Sequence, residues 1–299
     1  MENGRKNYLI SASILFSVII IAGAWIYTTG LKTRPATEKN IPQVNNQLAS
    51  LESQVLPKEG IVLPTKWDDL GKKLVESGVI DAQKLESIYT SRGGLSPEDK
   101  KLIYGAANGE LKITEKNAGL ILNLLWALGL GNKNEILEKG PMADPQYGGV
   151  QNFASTGGWT IGQGNVTTHY SRHQFITLTP AEQLLVLKVS KGIYRPCCDN
   201  STYFPDCNHG MAMLGFLELM ASQGANEEEL YKAALAVNSY WFPDAYLTIA
   251  KYLEQKSIPW NKAVPEEVLG SDYSSASGYF KIASQVTPRE GENGSGCNV

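Results

Sequence analysis

NAGLILNLLWALGLG, residues 117–131, is apolar on every side of a helical wheel. A surface helix keeps one polar face, so this stretch predicts a central helix enclosed by others. Its dozen or so apolar-rich residues are too few for a membrane span, which takes ~20. The fold class it implies is mainly α, built as layers around this buried helix.

Outward from it, helical spacing recurs on both sides. WDDLGKKLVESGVI places Trp67, Leu70, Leu74 and Val75 on one face, and DAQKLESIY continues with Leu85, Ile88 and Tyr89. Ser96-Pro97-Glu98-Asp99 reads as a helix start, and Thr179-Pro180-Ala181-Glu182 as a capping box opening QLLVLKVSKGIY. HGMAMLGFLELMASQG forms another apolar helix ended by Gly224. Asn226 caps EEELYKAALAVNSYW, and Pro243 separates that helix from DAYLTIAKYLEQK. Between them lies GPMADPQYGGVQNFASTGGWTIGQGN (140–165), with seven glycines and no clear period. Its aromatics Tyr147, Phe153 and Trp159 predict one long ordered Gly-rich loop, packed on the helices or facing a substrate. GGWTIGQG lacks the lysine and hydroxyl of a phosphate loop.

The ends differ from the middle. YLISASILFSVIIIAGAWIY (8–27) carries no charge and is long enough to span hydrocarbon, with Trp25 and Tyr27 at an interface. Residues 1–30 are therefore expected to be an N-terminal transmembrane anchor; Ala22-Gly23-Ala24 offers the alternative of a cleaved signal segment. Either places the rest outside the cytoplasm, in the anchor case as a single-pass membrane protein. Residues 31–60 read as a polar linker with one short helix around 46–55, residues 61–286 as a compact multi-helix domain, and 287–299 as a disordered tail holding Cys297. The chain of 299 residues has a formal net charge of −3, so it shows no basic footprint for nucleic acid.

Chemistry concentrates in CCDNSTYFPDCNHGMAM (197–213). It holds three of the four cysteines, one of the three histidines and two of the five methionines. Cys197, Cys198 and Cys207 offer thiolates, His209 an imidazole and Met211 a thioether; upstream, His169 and His173 stand four apart and share a face if that stretch is helical. Clustered soft donors suit copper or zinc, the expected cofactor, as well as metal capture or metal-assisted chemistry. Met213 falls on the apolar side of its helix and reads as core. Asp206 is expected either to cap the following helix or to orient an imidazole, with Arg195 and Tyr203 lining the site.

Two other readings use the same residues. A thiol-dependent enzyme would take Cys197 or Cys207 as nucleophile, His209 as base and Asp206 to orient it. A non-catalytic binding module for a small molecule would close a structural disulfide between Cys198 and Cys207. SYWFPDAY (239–246) reads as core packing or as a pocket wall. Sequons at Asn165, Asn200 and Asn293 matter only in a glycosylating host.

Overall fold

A computed structural model describes residues 51–286. The anchor expected over 1–30, most of the linker, and the tail with Cys297 lie outside the described residues. Among the described residues no helix is long and apolar enough to cross a membrane.

The domain opens on a feature that helical spacing did not predict. Strand β1 (Ile61–Asp68) alternates outward and inward, burying Leu63, Thr65 and Trp67. Trp67, read from its spacing as helical, sits on this strand and donates its indole N–H to Leu102 O at 2.8 Å. Three helices follow: α1 (Leu70–Glu76), α2 (Ala82–Thr90) and α3 (Pro97–Tyr104). Strand β2 (Asn108–Ile113) then returns antiparallel to β1, from the Ile61–Ile113 pair to the Asp68–Asn108 pair. Leu51 and Val55, in a helical turn at 51–55, are buried in the same core.

The 117–131 run forms α4 (Ala118–Gly131), buried along almost its whole length. Fourteen residues rise ~21 Å, short of a hydrocarbon core of about 30 Å. After the short α5 (Glu135–Lys139) the Gly-rich segment folds as successive 3-10 turns and the one-turn α6 (Ala154–Gly157). It is ordered and seated on the helices. Trp159 is buried, donates to Val79 O at 2.8 Å, and meets Trp126 edge-on at 4.8 Å.

Helices α7 (Pro180–Gly192), α8 (Asn208–Ser222), α9 (Glu227–Trp241) and α10 (Pro243–Gln255) complete the body. The short α11 (Pro265–Leu269) and α12 (Ser271–Ser274) lead to α13 (Ala276–Ala283). The capping box expected at Thr179 forms on α7, and the helix starts expected at Ser96 and Asn226 form, each as a capping box, on α3 and α9.

Helices α4 and α8 cross at their glycines. A Cβ on Gly215 would lie 2.6 Å from Gly129 N, and one on Gly129 would run into Met211 O. This close approach is what lets the start of α8 be held rigidly against the centre of the domain. Gly129→Ala is expected to cost about 1–3 kcal/mol by overpacking, seen as a lower urea midpoint. Gly109→Ala, where an added Cβ meets nothing within 4 Å, is the control expected to change stability little.

Candidate metal centre

The site is built where α7 ends and α8 begins. Past Gly192 the chain turns back on itself, with Thr202 N–H donating to Ile193 O at 2.8 Å, and a short bridge joins Arg195 and Cys198. This folds residues 195–207 into a tight loop. The loop ends on Cys207, whose extended backbone makes it the N-cap of α8; its Sγ accepts from Gly210 N–H at 3.4 Å. Cys207 therefore takes the capping role that the sequence reading offered to Asp206.

Arg195 is the loop's centre, 1% exposed. Its Nε–H donates to Cys207 Sγ at 3.0 Å, Nη1 to Asn200 O at 2.9 Å, and Nη2 to Phe204 O at 3.2 Å and Asp206 Oδ1 at 2.6 Å. The second Asp206 oxygen accepts from Asn200 Nδ2 at 2.8 Å. Asp206 is thus committed to Arg195 and Asn200, which corrects its assignment as an imidazole partner. Gly210 makes room for this arrangement, since a Cβ there would lie 2.6 Å from Arg195 Cζ.

Around this cation three thiols gather, all free and half-buried. Cys197 Sγ lies 3.6 Å from Cys207 Sγ and 3.9 Å from His209 Nδ1. The donor atoms of Cys197, Cys207 and His209 all fall within 4.8 Å of one another, and a second group joins Cys198, Asp206 and Cys207. Both Cys197 and Cys198 thus place a sulfur close to Cys207, and no Cys198–Cys207 bridge is present. Cys198 Sγ turns toward Asn200 O at 3.9 Å.

Charge in the cluster is uneven. Hydrogen bonds from Cys197 and Cys198, then the Arg195 charge and His209, hold Cys207 well below the usual thiol range, against the opposing effect of burial. Cys197 moves the other way, because hydrogen bonds with Cys198 and Cys207 and burial all keep its proton. Cys198 is lowered by its bond with Cys197, but Cys207 and burial outweigh this and push it up to about 11. Within the cluster Cys207 is thus the sulfur whose negative charge is most favoured, and it stands beside the one guanidinium.

The imidazole is walled by aromatics. His209 is buried, with Phe242 at 4.3 Å and Trp241 at 5.9 Å between ring centroids. The SYWFPDAY stretch is therefore a wall of the site as well as core. The Gly-rich loop reaches it too: Ser155 N–H donates to Asp206 O at 3.0 Å, and Tyr147 and Phe153 pack on Phe204. Tyr203 faces away, its ring beneath Lys191 at 4.9 Å.

Other sequence-derived donors go elsewhere. His169 and His173 bond each other, Nδ1 to Nε2 at 3.1 Å, and His169 Nε2 contacts Gln163 O at 2.9 Å. Neither belongs to the cysteine group. Their segment is not an α-helix: Ser171 has φ 53, and His173 bridges Asn132 at the end of α4. Asn132 in turn bonds Glu218, some 13 Å of axial rise beyond His209 along α8. Met211 is fully buried among the apolar core side chains, beside Met213.

That same Glu218 was passed over in the sequence, although a single acid inside GFLELM is a signal of its own. It is wholly buried, and its two oxygens accept from Asn132 Nδ2 at 2.7 Å and Asn134 Nδ2 at 2.6 Å. Burial pushes its carboxyl up to about 8, against the two amides that lower it. Comparison with protein-family models, curated proteins and solved structures finds no match to this chain.

Proposed function

We propose that this chain is a membrane-anchored, extracytoplasmic protein that binds a soft transition metal, copper or zinc, through Cys197, Cys207 and His209, with Cys198 as the fourth ligand. The observation that carries this reading is the donor spacing. Metal bonds of ~2.0–2.3 Å at tetrahedral angles put ligands about 3.3–3.8 Å apart. The separations of 3.6 Å and 3.9 Å come within a few tenths of that. Arg195 supports the same reading. It offsets thiolate charge at Cys207 and orients that sulfur, as groups behind a ligand do in metal sites. Metal arrival would release the protons of Cys197 and Cys198, so binding weakens as pH falls.

Titration of the reduced full chain with Zn(II) and Cu(I) tests this. One tight equivalent is expected, and Cys207→Ala or His209→Ala should weaken it by on the order of 100-fold or more. Variants that keep wild-type affinity would end the assignment. The anchor rests on the apolar 8–27 stretch, and carbonate extraction that frees the full chain from membranes would remove it from this reading.

A second reading has one observation in its favour. Cys207 Sγ accepts from a guanidinium N–H at 3.0 Å and its thiol is held well below the usual range, the environment of a nucleophilic cysteine. Rapid stoichiometric alkylation at Cys207 in metal-free protein, with no metal bound under any condition, would favour it.

A further inference from the structure

We infer that Cys197 and Cys207 form a thiol–disulfide couple that gates the metal site: a small-molecule disulfide closes the pair and the chain loses its metal. This rests on the metal reading above and adds its regulation.

The geometry selects the pair. Cys197 Sγ and Cys207 Sγ are 3.6 Å apart with nothing between them. A disulfide needs about 2.05 Å, so a closing movement of roughly 1.5 Å suffices. Cys198 is the competing partner: its sulfur also hydrogen-bonds Cys207 but is shared with Asn200 O at 3.9 Å, whereas Cys197 Sγ lies 3.6 Å from Cys207 Sγ. A bond between the neighbours Cys197 and Cys198 would be strained. Both members of the chosen pair are partly buried, so a small disulfide is the oxidant that suits the site better than a protein one.

The direction of reaction follows from what faces each sulfur. Two N–H groups, Arg195 Nε at 3.0 Å and Gly210 N at 3.4 Å, point at Cys207 Sγ and none of these at Cys197. Negative charge on Cys207 is thereby stabilised, which makes it the attacking sulfur. Cys207 Sγ attacks one sulfur of the disulfide RSSR, the S–S bond breaks, and one thiolate RS⁻ leaves. Cys197 Sγ then attacks Cys207 Sγ, forming the Cys197–Cys207 bond and expelling the second RS⁻, which takes the Cys197 proton. The protein loses two electrons, and one RSSR becomes two thiols. The product ties up two of the proposed ligands in one bond, so it cannot hold the metal. Bound metal in turn occupies both sulfurs and protects them.

The test uses the reduced, metal-free full chain, oxidised glutathione and Zn(II). Peptide mapping after oxidation should find the Cys197–Cys207 disulfide, with Cys198 still open to alkylation. Zn(II) affinity should fall by on the order of 100-fold and return on reduction with dithiothreitol. Loading with Zn(II) first should slow disulfide formation about tenfold or more. A main product linking Cys207 to Cys198 or to Cys297, stable glutathione adducts instead of a disulfide, or an oxidised chain that binds Zn(II) as before would each overturn the proposal. If the reduced chain binds no Zn(II), the metal reading fails and the gate with it, while the mapped bond separately decides the couple.

Discussion

Replacing Arg195 with methionine is expected to lower the free energy of unfolding by about 3–5 kcal/mol, the usual effect of removing one partner from a buried charge pair. The guanidinium is 1% exposed and serves four acceptors: Cys207 Sγ, Asp206 Oδ1 and the carbonyls of Asn200 and Phe204. Methionine fills similar volume and donates nothing. The Asp206 carboxylate would keep only Asn200, and Cys207 Sγ would lose the positive charge beside it. Arg195→Lys should fall between, because one ammonium on a flexible stem cannot serve acceptors spread around a planar fork. Urea unfolding of the reduced protein measures both. The double variant Arg195→Met with Asp206→Leu should lose less than the sum of the singles, since it removes the carboxylate that the first change strands. A loss under 1 kcal/mol for Arg195→Met would refute the account of Arg195 as the loop's organiser. Thiolate absorbance gives a second readout: without the guanidinium, Cys207 should titrate at higher pH.

The second large effect is a pH dependence centred on Glu218. Its carboxyl binds a proton more tightly in the folded chain, at about 8, than at its ordinary value of 4.5. Between those pH values the folded state holds a proton that the unfolded state has lost. Stability therefore falls as pH rises through this window, is full below 4.5, and levels off above 8. The span corresponds to roughly 5 kcal/mol. Glu218→Gln carries no charge at any pH, so its stability relative to the wild type should improve from pH 5 to pH 8.5 by several kcal/mol. Comparing the two chains at each pH cancels the cysteines, which titrate alike in both. A difference that does not change with pH would show that Glu218 is ionised throughout, held by the amides of Asn132 and Asn134.

Much of the helical framework was legible before any coordinates. The 117–131 stretch could not stand in water as a helix, and it became the buried α4. Ser96, Thr179 and Asn226 cap where their local chemistry demands, since a cap involves residues only three apart. Trp67 went the other way. Its strand is paired with a partner about 40 residues on, across three helices, and local spacing carries no record of that partner. His169 and His173 failed as a co-facial pair for the same kind of reason. Four-residue spacing aligns side chains only on a helix, and Ser171 takes a left-handed backbone between them.

By itself the sequence determined most of the long helices, where the soft donors are stored along the chain, and that the domain needs a buried helix at its middle. Those are properties of near neighbours, set by spacing and by the solubility of each face. Only the tertiary structure decided which donors meet. It joined Cys197 from one loop to His209 on α8, walled them with Trp241 and Phe242 from the end of α9, and gave Asp206 to Arg195 instead of an imidazole. A buried guanidinium must be neutralised by whatever acceptors surround it, and those are known only once distant stretches of chain have packed together.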